Sequence, residues 1–148
     1  MRKIMIIGAI GSGKSTLIKR LFGEQDAALK TQSLVYRDWL IDTPGEYSEN
    51  PLYYRALMAT SHEACALVLV QDATRTRNYF PPGFAGGFPI PAIGVITKMD
   101  AAEADGERAA ILLRQSLPAG SEIFCTSSLN MLGLEELRAK LLSFVSKA

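Results

Sequence analysis

Apolar residues along the chain occur in short runs that are typical of strands in a parallel sheet. The first run, 3–7, contains Ile4-Met5-Ile6-Ile7, as expected for a strand that is buried on both faces. Two shorter runs, 33–36 and 39–41, predict a pair of strands joined at Arg37-Asp38. The remaining strand predictions are 64–70, 91–96 and 122–125.

Between these runs, apolar residues recur at the spacing of amphipathic helices. Helices are predicted after the first strand, ending near Gly23, and at 51–61, at 103–117 and toward residue 145. Residues expected to contact the core are Leu17, Ile18, Leu21, Phe22, Leu52, Leu57, Met58, Ala109, Leu112, Leu113, Leu117, Leu134, Leu137, Leu141 and Val145. Alternating strands and helices indicate a three-layer α/β fold with a mostly parallel sheet, and 148 residues fit one domain, 1–148.

Ligands of such sheets bind beyond the carboxyl ends of the strands. Polar segments that follow predicted strands are 8–15, Asp42, Asp72, 97–100 and 126–128. We therefore expect these segments to converge on one edge of the sheet.

The segment 8–15 reads G-A-I-G-S-G-K-S, which has the G-x-x-x-x-G-K-[ST] spacing of a phosphate-binding P-loop. Gly8 and Gly13 allow backbone conformations that a side chain would forbid. The N–H groups of the loop and the start of the following helix then face phosphate oxygens. Lys14 can reach the β- and γ-phosphates, and the Ser15 hydroxyl can ligate Mg²⁺.

Asp42 closes a predicted strand and opens the sequence D-T-P-G-E-Y. A carboxylate in that position can hold Mg²⁺ directly or through water. Gly45 can bring its backbone N–H close to a γ-phosphate. The alternative is a plain turn after a strand, since each of these residues is a turn former.

Composition excludes several classes of protein. The formal net charge is +1 and basic residues do not form runs, so no nucleic-acid partner is expected. No apolar run approaches the roughly 20 residues that cross a membrane, and the opening Met1-Arg2-Lys3 leads into the P-loop rather than a cleavage site. Cys65 and Cys125 both lie in apolar surroundings, so two buried thiols in a reducing cytoplasm are expected.

Four prolines between positions 81 and 91 disfavour a helix or a central strand there. Phe80, Phe84 and Phe88 either pack beneath this loop, which we favour, or are offered to a partner. Arg75 and Arg77 precede the loop and read as solvated charges or as holders of an anionic substrate. His62, the one histidine, is expected in a solvated turn.

The order of these motifs resembles the Ras-like, or TRAFAC, class of small GTPases. The match includes a candidate switch threonine at Thr31, T-K-x-D at 97–100 and T-S-S at 126–128, and it spans nearly the whole chain. The resemblance implies a small-GTPase-like P-loop fold. Residues expected to bind nucleotide are Gly8, Ile10, Gly11, Ser12, Gly13, Lys14, Ser15, Thr16, Thr97, Lys98, Asp100, Ser127 and Ser128. Those expected to bind Mg²⁺ are Ser15, Thr31 and Asp42.

The segment T-K-M-D favours guanine. The Asp100 carboxylate can accept from the N1–H and the exocyclic amine of guanine, whereas adenine has no donor at N1. Lys98 can lie along the base plane. Thr97 replaces the usual Asn and removes an amide that helps fix the loop, and Ser127-Ser128 replaces Ser-Ala. Both departures predict weaker guanine affinity or looser selection of guanine over other bases. The alternative interpretation of the segment 97–100 is a solvated turn between a strand and a helix.

The finer resemblance is to the EutP/PduV family of ethanolamine and propanediol utilisation. It is carried by K-T-Q at 30–32, I-D-T-P-G-E-Y at 41–47, V-Q-D-A-T at 70–74, F-P-P-G-F at 80–84 and V-I-T-K at 95–98. The resemblance implies a cytoplasmic bacterial protein encoded with microcompartment enzymes and associated with shell or enzyme proteins. It also implies either GTP/GDP binding or, as for EutP-like members, acetate kinase activity with ATP or GTP.

Local departures from Ras-like proteins bear on the mechanism. Thr31 lies only eleven positions before Asp42, which predicts limited switch movement. Glu46 stands where Ras-like enzymes place a water-orienting Gln, so it is either a general base or a solvent-facing acid. Ile10 occupies a P-loop position that holds a small residue in GTPases activated by an arginine from a partner protein. The larger side chain argues against activation of this kind.

Three hypotheses follow. The first is a slow Mg²⁺-dependent GTPase in which Lys14, Thr31, Gly45 and Glu46 act on the γ-phosphate. The second is phosphoryl transfer from ATP or GTP to acetate. The third is a module without enzymatic activity that binds a shell or enzyme partner through its phenylalanine loop.

Overall fold

The computed structural model describes residues 2–23 and 34–146, and its strands form one six-stranded sheet. The strands are β1 (Lys3–Gly8), β2 (Val35–Arg37), β3 (Leu40–Asp42), β4 (Ala64–Asp72), β5 (Ala92–Thr97) and β6 (Ile123–Cys125). Their order across the sheet is β2-β3-β1-β4-β5-β6. Within this sheet only β2 runs antiparallel to its neighbour, because a tight turn returns the chain directly into β3. The turn is formed by Asp38-Trp39, one residue later than the predicted Arg37-Asp38.

Helices cover both faces of this sheet. They are α1 (Lys14–Leu21), α2 (Glu46–Glu49), α3 (Tyr54–Ser61), α4 (Gly106–Arg114) and α5 (Leu134–Ser146). Alternate residues of β1 enter opposite cores, since side chains alternate across a strand. Ile4 and Ile6 pack with α1 and α5, whereas Met5 and Ile7 pack with α3 and α4. The three-layer α/β architecture predicted from the sequence is confirmed.

The helix predicted at 51–61 differs at its start. Residues Pro51–Tyr53 form a 3₁₀ turn, and the Asn50 side chain accepts a hydrogen bond from the Leu52 backbone N–H. Leu52 is 84% exposed, so its prediction as a core contact is wrong, whereas Leu57 is fully buried. The tighter turn rotates Leu52 away from the face that α3 presents to the sheet.

The helices predicted after the first strand and at 103–117 are present but shorter than predicted, and the last helix extends to Ser146. The helix predicted at 103–117 begins only at Gly106, because Asp105 caps it by accepting from the Arg108 N–H. Most of the predicted core positions are buried; Phe22, Met58, Leu112 and Val145 are partly buried.

The proline-rich loop replaces a helix between β4 and β5 and contains only the 3₁₀ turn Phe84–Gly87. Phe80 is 2% exposed and Phe88 is 9% exposed, and both belong to the core beneath the loop. The Phe84 ring contacts each of them, with centroids 5.3 Å apart in both pairs. The prediction that these rings pack beneath the loop is confirmed, so Phe80 and Phe88 are not available to a partner.

Three smaller expectations have separate outcomes. Cys65 is buried as predicted. Cys125 is exposed at the end of the edge strand β6, so the prediction that it is buried is wrong. Both are free cysteines. His62 is exposed in the turn after α3, as predicted. Among the helices of 2–23 and 34–146, none is long and apolar enough to cross a membrane.

Candidate nucleotide-binding site

The predicted convergence of polar segments at one sheet edge is present in the strand register. Ile6 of β1 pairs with Asp42, Gly8 pairs with Val70, and Asp72 pairs with Thr97. Parallel strands therefore end side by side. The loops that follow β1, β3, β4, β5 and β6 lie at this edge. Thr31 lies outside the described residues.

The P-loop turns sharply between β1 and α1. The Ser12 N–H donates to the Ala9 carbonyl at 3.0 Å, and Gly13 precedes α1 with a φ of 86°. That left-handed backbone supports the sequence argument for Gly13. Gly8 needs space instead, since a Cβ there would lie 2.7 Å from the Ser12 Oγ. Its φ is not positive, so the predicted conformational reason was wrong for Gly8.

Lys14 and Asp42 meet at the centre of this edge. The Lys14 ammonium donates to the Asp42 carboxylate, and both residues are buried. Burial lowers the pKa of Lys14, while the charge and hydrogen bond of Asp42 act in the opposite direction. The pair places one cation and one anion where the phosphates and metal of a nucleotide would compete for them.

The oxygen donors at this edge fit Mg²⁺. Mg²⁺ is usually held by one or two carboxylates together with substrate phosphates. Asp42 supplies a carboxylate at the end of β3, and Ser15 supplies a hydroxyl in the first turn of α1. Residues 2–23 and 34–146 contain no cluster of three or more acidic, histidine or cysteine ligands. This donor set therefore suits a metal that arrives with the nucleotide.

The segment after β3 lies against the P-loop. The Thr43 hydroxyl donates to the Ile6 carbonyl at 2.8 Å and holds the start of this segment on β1. A Cβ on Gly45 would lie 2.6 Å from the Ile10 backbone N, so only glycine fits at this approach. Glu46 follows as the first residue of α2 and is partly buried. Gly45 and Glu46 are thus beside the loop that is expected to bind phosphate.

The loop after β5 is tied to the P-loop by two side chains. The Thr97 hydroxyl donates to the Ser12 carbonyl, and the Lys98 ammonium donates to the Gly11 carbonyl at 2.7 Å. Thr97 therefore supplies a link between the two loops in place of the amide that the sequence lacks. Lys98 has a φ of 62°, which turns the chain toward Asp100.

Asp72 is a site residue to which sequence reasoning gave no role. One of its oxygens lies 2.9 Å from the Lys98 Nζ, and the other accepts from the Thr74 N–H and hydroxyl. Burial raises the pKa of Asp72, but the hydrogen bonds from Lys98 and Thr74 outweigh it and hold the pKa below the usual value. The sequence signal for this residue is an acid at the end of the predicted strand that becomes β4, which is the neighbour of β5 in the sheet.

A cavity of about 170 Å³ opens beside these loops. Its walls include Lys98, Asp100 and Ser128, together with Leu129, which is 77% exposed and was not predicted. The Ser127 hydroxyl donates to the Asp100 Oδ1 at 2.6 Å and fixes the carboxylate. An apolar wall with one oriented carboxylate can accept a flat base that carries adjacent N–H donors.

Fold and site together define a P-loop protein with a small-GTPase-like fold. A solved structure of the bacterial selenocysteine-specific elongation factor EF-Sec aligns with a TM-score of 0.66 and 24% identity. The alignment covers 98% of this chain but only 29% of that longer one, so the likeness concerns the fold.

The chain belongs to the PduV-EutP family, described as ethanolamine utilisation and propanediol utilisation, whose model matches residues 1–143. It is 38% identical to the propanediol utilization protein PduV of Citrobacter freundii over 93% of this chain and 91% of that protein. It is 38% identical to the "Probable acetate kinase EutP" of Salmonella typhimurium over 71% of this chain and 67% of that protein. The corresponding Escherichia coli protein is 37% identical over the same shares. The family prediction is confirmed.

Proposed function

We propose that this protein is a single-domain guanine-nucleotide-binding protein that hydrolyses GTP slowly with Mg²⁺. The observation that carries the proposal is the Asp100 carboxylate, fixed by Ser127 beside a cavity of base size and next to a P-loop. Family membership supports a cytoplasmic role in propanediol or ethanolamine utilisation, near a bacterial microcompartment.

Each part of the site has a chemical role in this proposal. The P-loop N–H groups and Lys14 stabilise negative charge on the phosphates. Ser15, Asp42 and Thr31 are the residues that would hold Mg²⁺, which neutralises charge on the β- and γ-phosphates. Lys14 and Asp42, which form an ion pair here, would be the residues that contact phosphate and metal when a nucleotide binds. The Gly45 N–H would donate to the γ-phosphate, and Glu46 would orient or deprotonate the attacking water.

The test is a titration of purified protein with GTP, GDP and ATP in the presence and absence of Mg²⁺. We expect GTP to bind at least tenfold more tightly than ATP, because only guanine presents two donors to Asp100. Phosphate release should depend on Mg²⁺ and should be unaffected by acetate. Binding of ATP as tight as GTP would overturn the guanine assignment.

A second function is phosphoryl transfer to acetate. It is favoured by the name of the EutP relatives, "Probable acetate kinase". In this reaction an acetate oxygen attacks the γ-phosphorus, and the bond between that phosphorus and the bridging oxygen of the β-phosphate breaks. Acetyl phosphate and the nucleoside diphosphate then leave. Acetate is already anionic, so no base is needed. Formation of acetyl phosphate in the assay above would establish this reaction in place of hydrolysis.

A further inference from the structure

A second cavity of about 590 Å³ lies between α2, α3 and the loop that follows β4. Tyr54, Pro81 and Pro82 line it with apolar surface, and it shares no wall residue with the cavity beside Asp100. Its volume falls in the range of pockets that bind organic ligands, roughly 300–1,000 Å³. No residue of the nucleotide site described above lines it.

The charge on the walls is positive. Arg75 and Arg77 line the cavity, and none of its described wall residues is acidic. The Arg75 guanidinium lies 4.8 Å from the centroid of the Tyr79 ring, and neither arginine has an ion pair in the part of the chain that the structure describes. Arg108 does not line the cavity, but its guanidinium donates to the Arg75 carbonyl at 3.1 Å and so holds the backbone of that residue in place. An anion entering the cavity would find cations that no carboxylate of residues 2–23 or 34–146 neutralises.

Hydrogen-bonding groups accompany these charges. The Tyr79 hydroxyl is buried and has no partner among the described residues. Asn78 and Gln115 also line the cavity, and the Asn78 side-chain amide donates to the Gln115 Oε1 at 3.0 Å. A buried hydroxyl without a partner is unfavourable, so a ligand that accepts from Tyr79 would remove that cost.

We propose that this cavity is a second ligand site, which binds a small organic anion. The carboxylate or phosphate of the ligand lies against Arg75 and Arg77, and its apolar part lies against Tyr54 and Pro81. Guanidinium groups suit both kinds of anion, because their N–H donors match paired oxygens. The cavity is far larger than acetate requires. We therefore expect a larger anion that carries an aromatic or branched apolar group.

The cavity is connected to the nucleotide site through Ser48. Ser48 lines the cavity, accepts from the Tyr54 hydroxyl at 3.4 Å and donates from its own hydroxyl to the Gly45 carbonyl at 3.0 Å. Gly45 in turn lies against the Ile10 backbone. A ligand that contacts Ser48 and Tyr54 therefore acts on the segment that faces the γ-phosphate. This coupling rests on the proposed function; anion binding itself does not, and the coupling must be reciprocal.

Binding can be measured by NMR on ¹⁵N-labelled protein, with the side-chain amides of Asn78 and Gln115 as reporters. The probes are benzoate and phenyl phosphate, with neutral benzyl alcohol, acetate and inorganic phosphate as comparisons. We expect saturable shifts of both reporters with at least one aromatic anion. Benzoate alone would identify a carboxylate ligand, and phenyl phosphate alone a phosphate ester.

The test variant is R75Q with R77Q, and the control is R2Q, which removes one charge at the residue before β1. The double variant should weaken the aromatic anion at least tenfold, and R2Q should leave it unchanged. Four results would overturn the site: no saturable shift of the reporters, equal binding of benzyl alcohol or acetate, no effect of the double variant, or shifts by both aromatic anions that are confined to P-loop amides.

The titration is first made without nucleotide and then repeated with GTP and with GDP, so that the two proposals fail separately. If the protein does not prefer GTP to ATP, the proposed function fails while the anion site stands. If GTP and GDP give equal affinity for the probe, the coupling through Ser48 is refuted.

Discussion

Replacement of Asp100 by Asn tests base recognition most directly. One Asp100 oxygen already accepts from Ser127, so the carboxylate is held in place before a base arrives. Two hydrogen bonds from guanine to this charged group would contribute about 1.5–3 kcal/mol each. Their loss corresponds to about 3–6 kcal/mol, or a factor of about 10²–10⁴ in Kd.

The variant should also gain a ligand. An Asn side-chain NH₂ repels the exocyclic amine of guanine but can donate to the carbonyl that xanthine carries at the same position. We expect D100N to bind GTP at least about 10²-fold more weakly and XTP more tightly than the unmodified protein does. Calorimetric titration of each protein with GTP, XTP and ATP measures these changes.

D38N is the matched control, because Asp38 lies in the exposed turn between β2 and β3 and its replacement makes the same chemical change. Its Kd for GTP should be unchanged. Equal GTP affinity in D100N and the unmodified protein, with both folded by circular dichroism, would refute base recognition by Asp100. Weaker GTP binding without a gain for XTP would point to collapse of the loop instead.

Three further changes test the remaining site and the core. G45A would place a Cβ 2.6 Å from the Ile10 N, so GTP binding should weaken at least about tenfold relative to GDP; G86A, with open space around it, should leave the ratio unchanged. D72N should lower the free energy of unfolding in urea by about 1–2 kcal/mol at neutral pH. Because the pKa of Asp72 is lowered in the folded state, that difference should persist above pH 3.8 and disappear as the pH falls through the folded-state pKa; a constant difference would contradict it. F80A should cost about 3–5 kcal/mol in the same assay, whereas L52A, at an exposed position, should change stability by less than about 0.5 kcal/mol; similar losses would contradict the loop packing.

The fold could be predicted because its signals are local. A strand that is buried on both faces must be apolar throughout, as Ile4-Met5-Ile6-Ile7 is, and a P-loop must join such a strand to a helix. The predicted ends failed where a short-range contact competed with the apolar pattern. Asn50 binds the Leu52 N–H and sets a 3₁₀ turn, so Leu52 faces solvent. The exposure of Cys125 depends on β6 being an edge strand, which its own residues do not specify.

The candidate site divides in the same way. P-loop spacing, Asp42 after its strand and Asp100 in T-K-M-D are properties of a few consecutive residues, so the sequence by itself determined them. The contacts of Lys98 with Asp72 and of Thr97 with Ser12 join segments that are far apart along the chain. Only the tertiary structure decided these contacts and the cavity beside Arg75, because they exist only once β1, β4 and β5 lie in register and the proline-rich loop folds over the core.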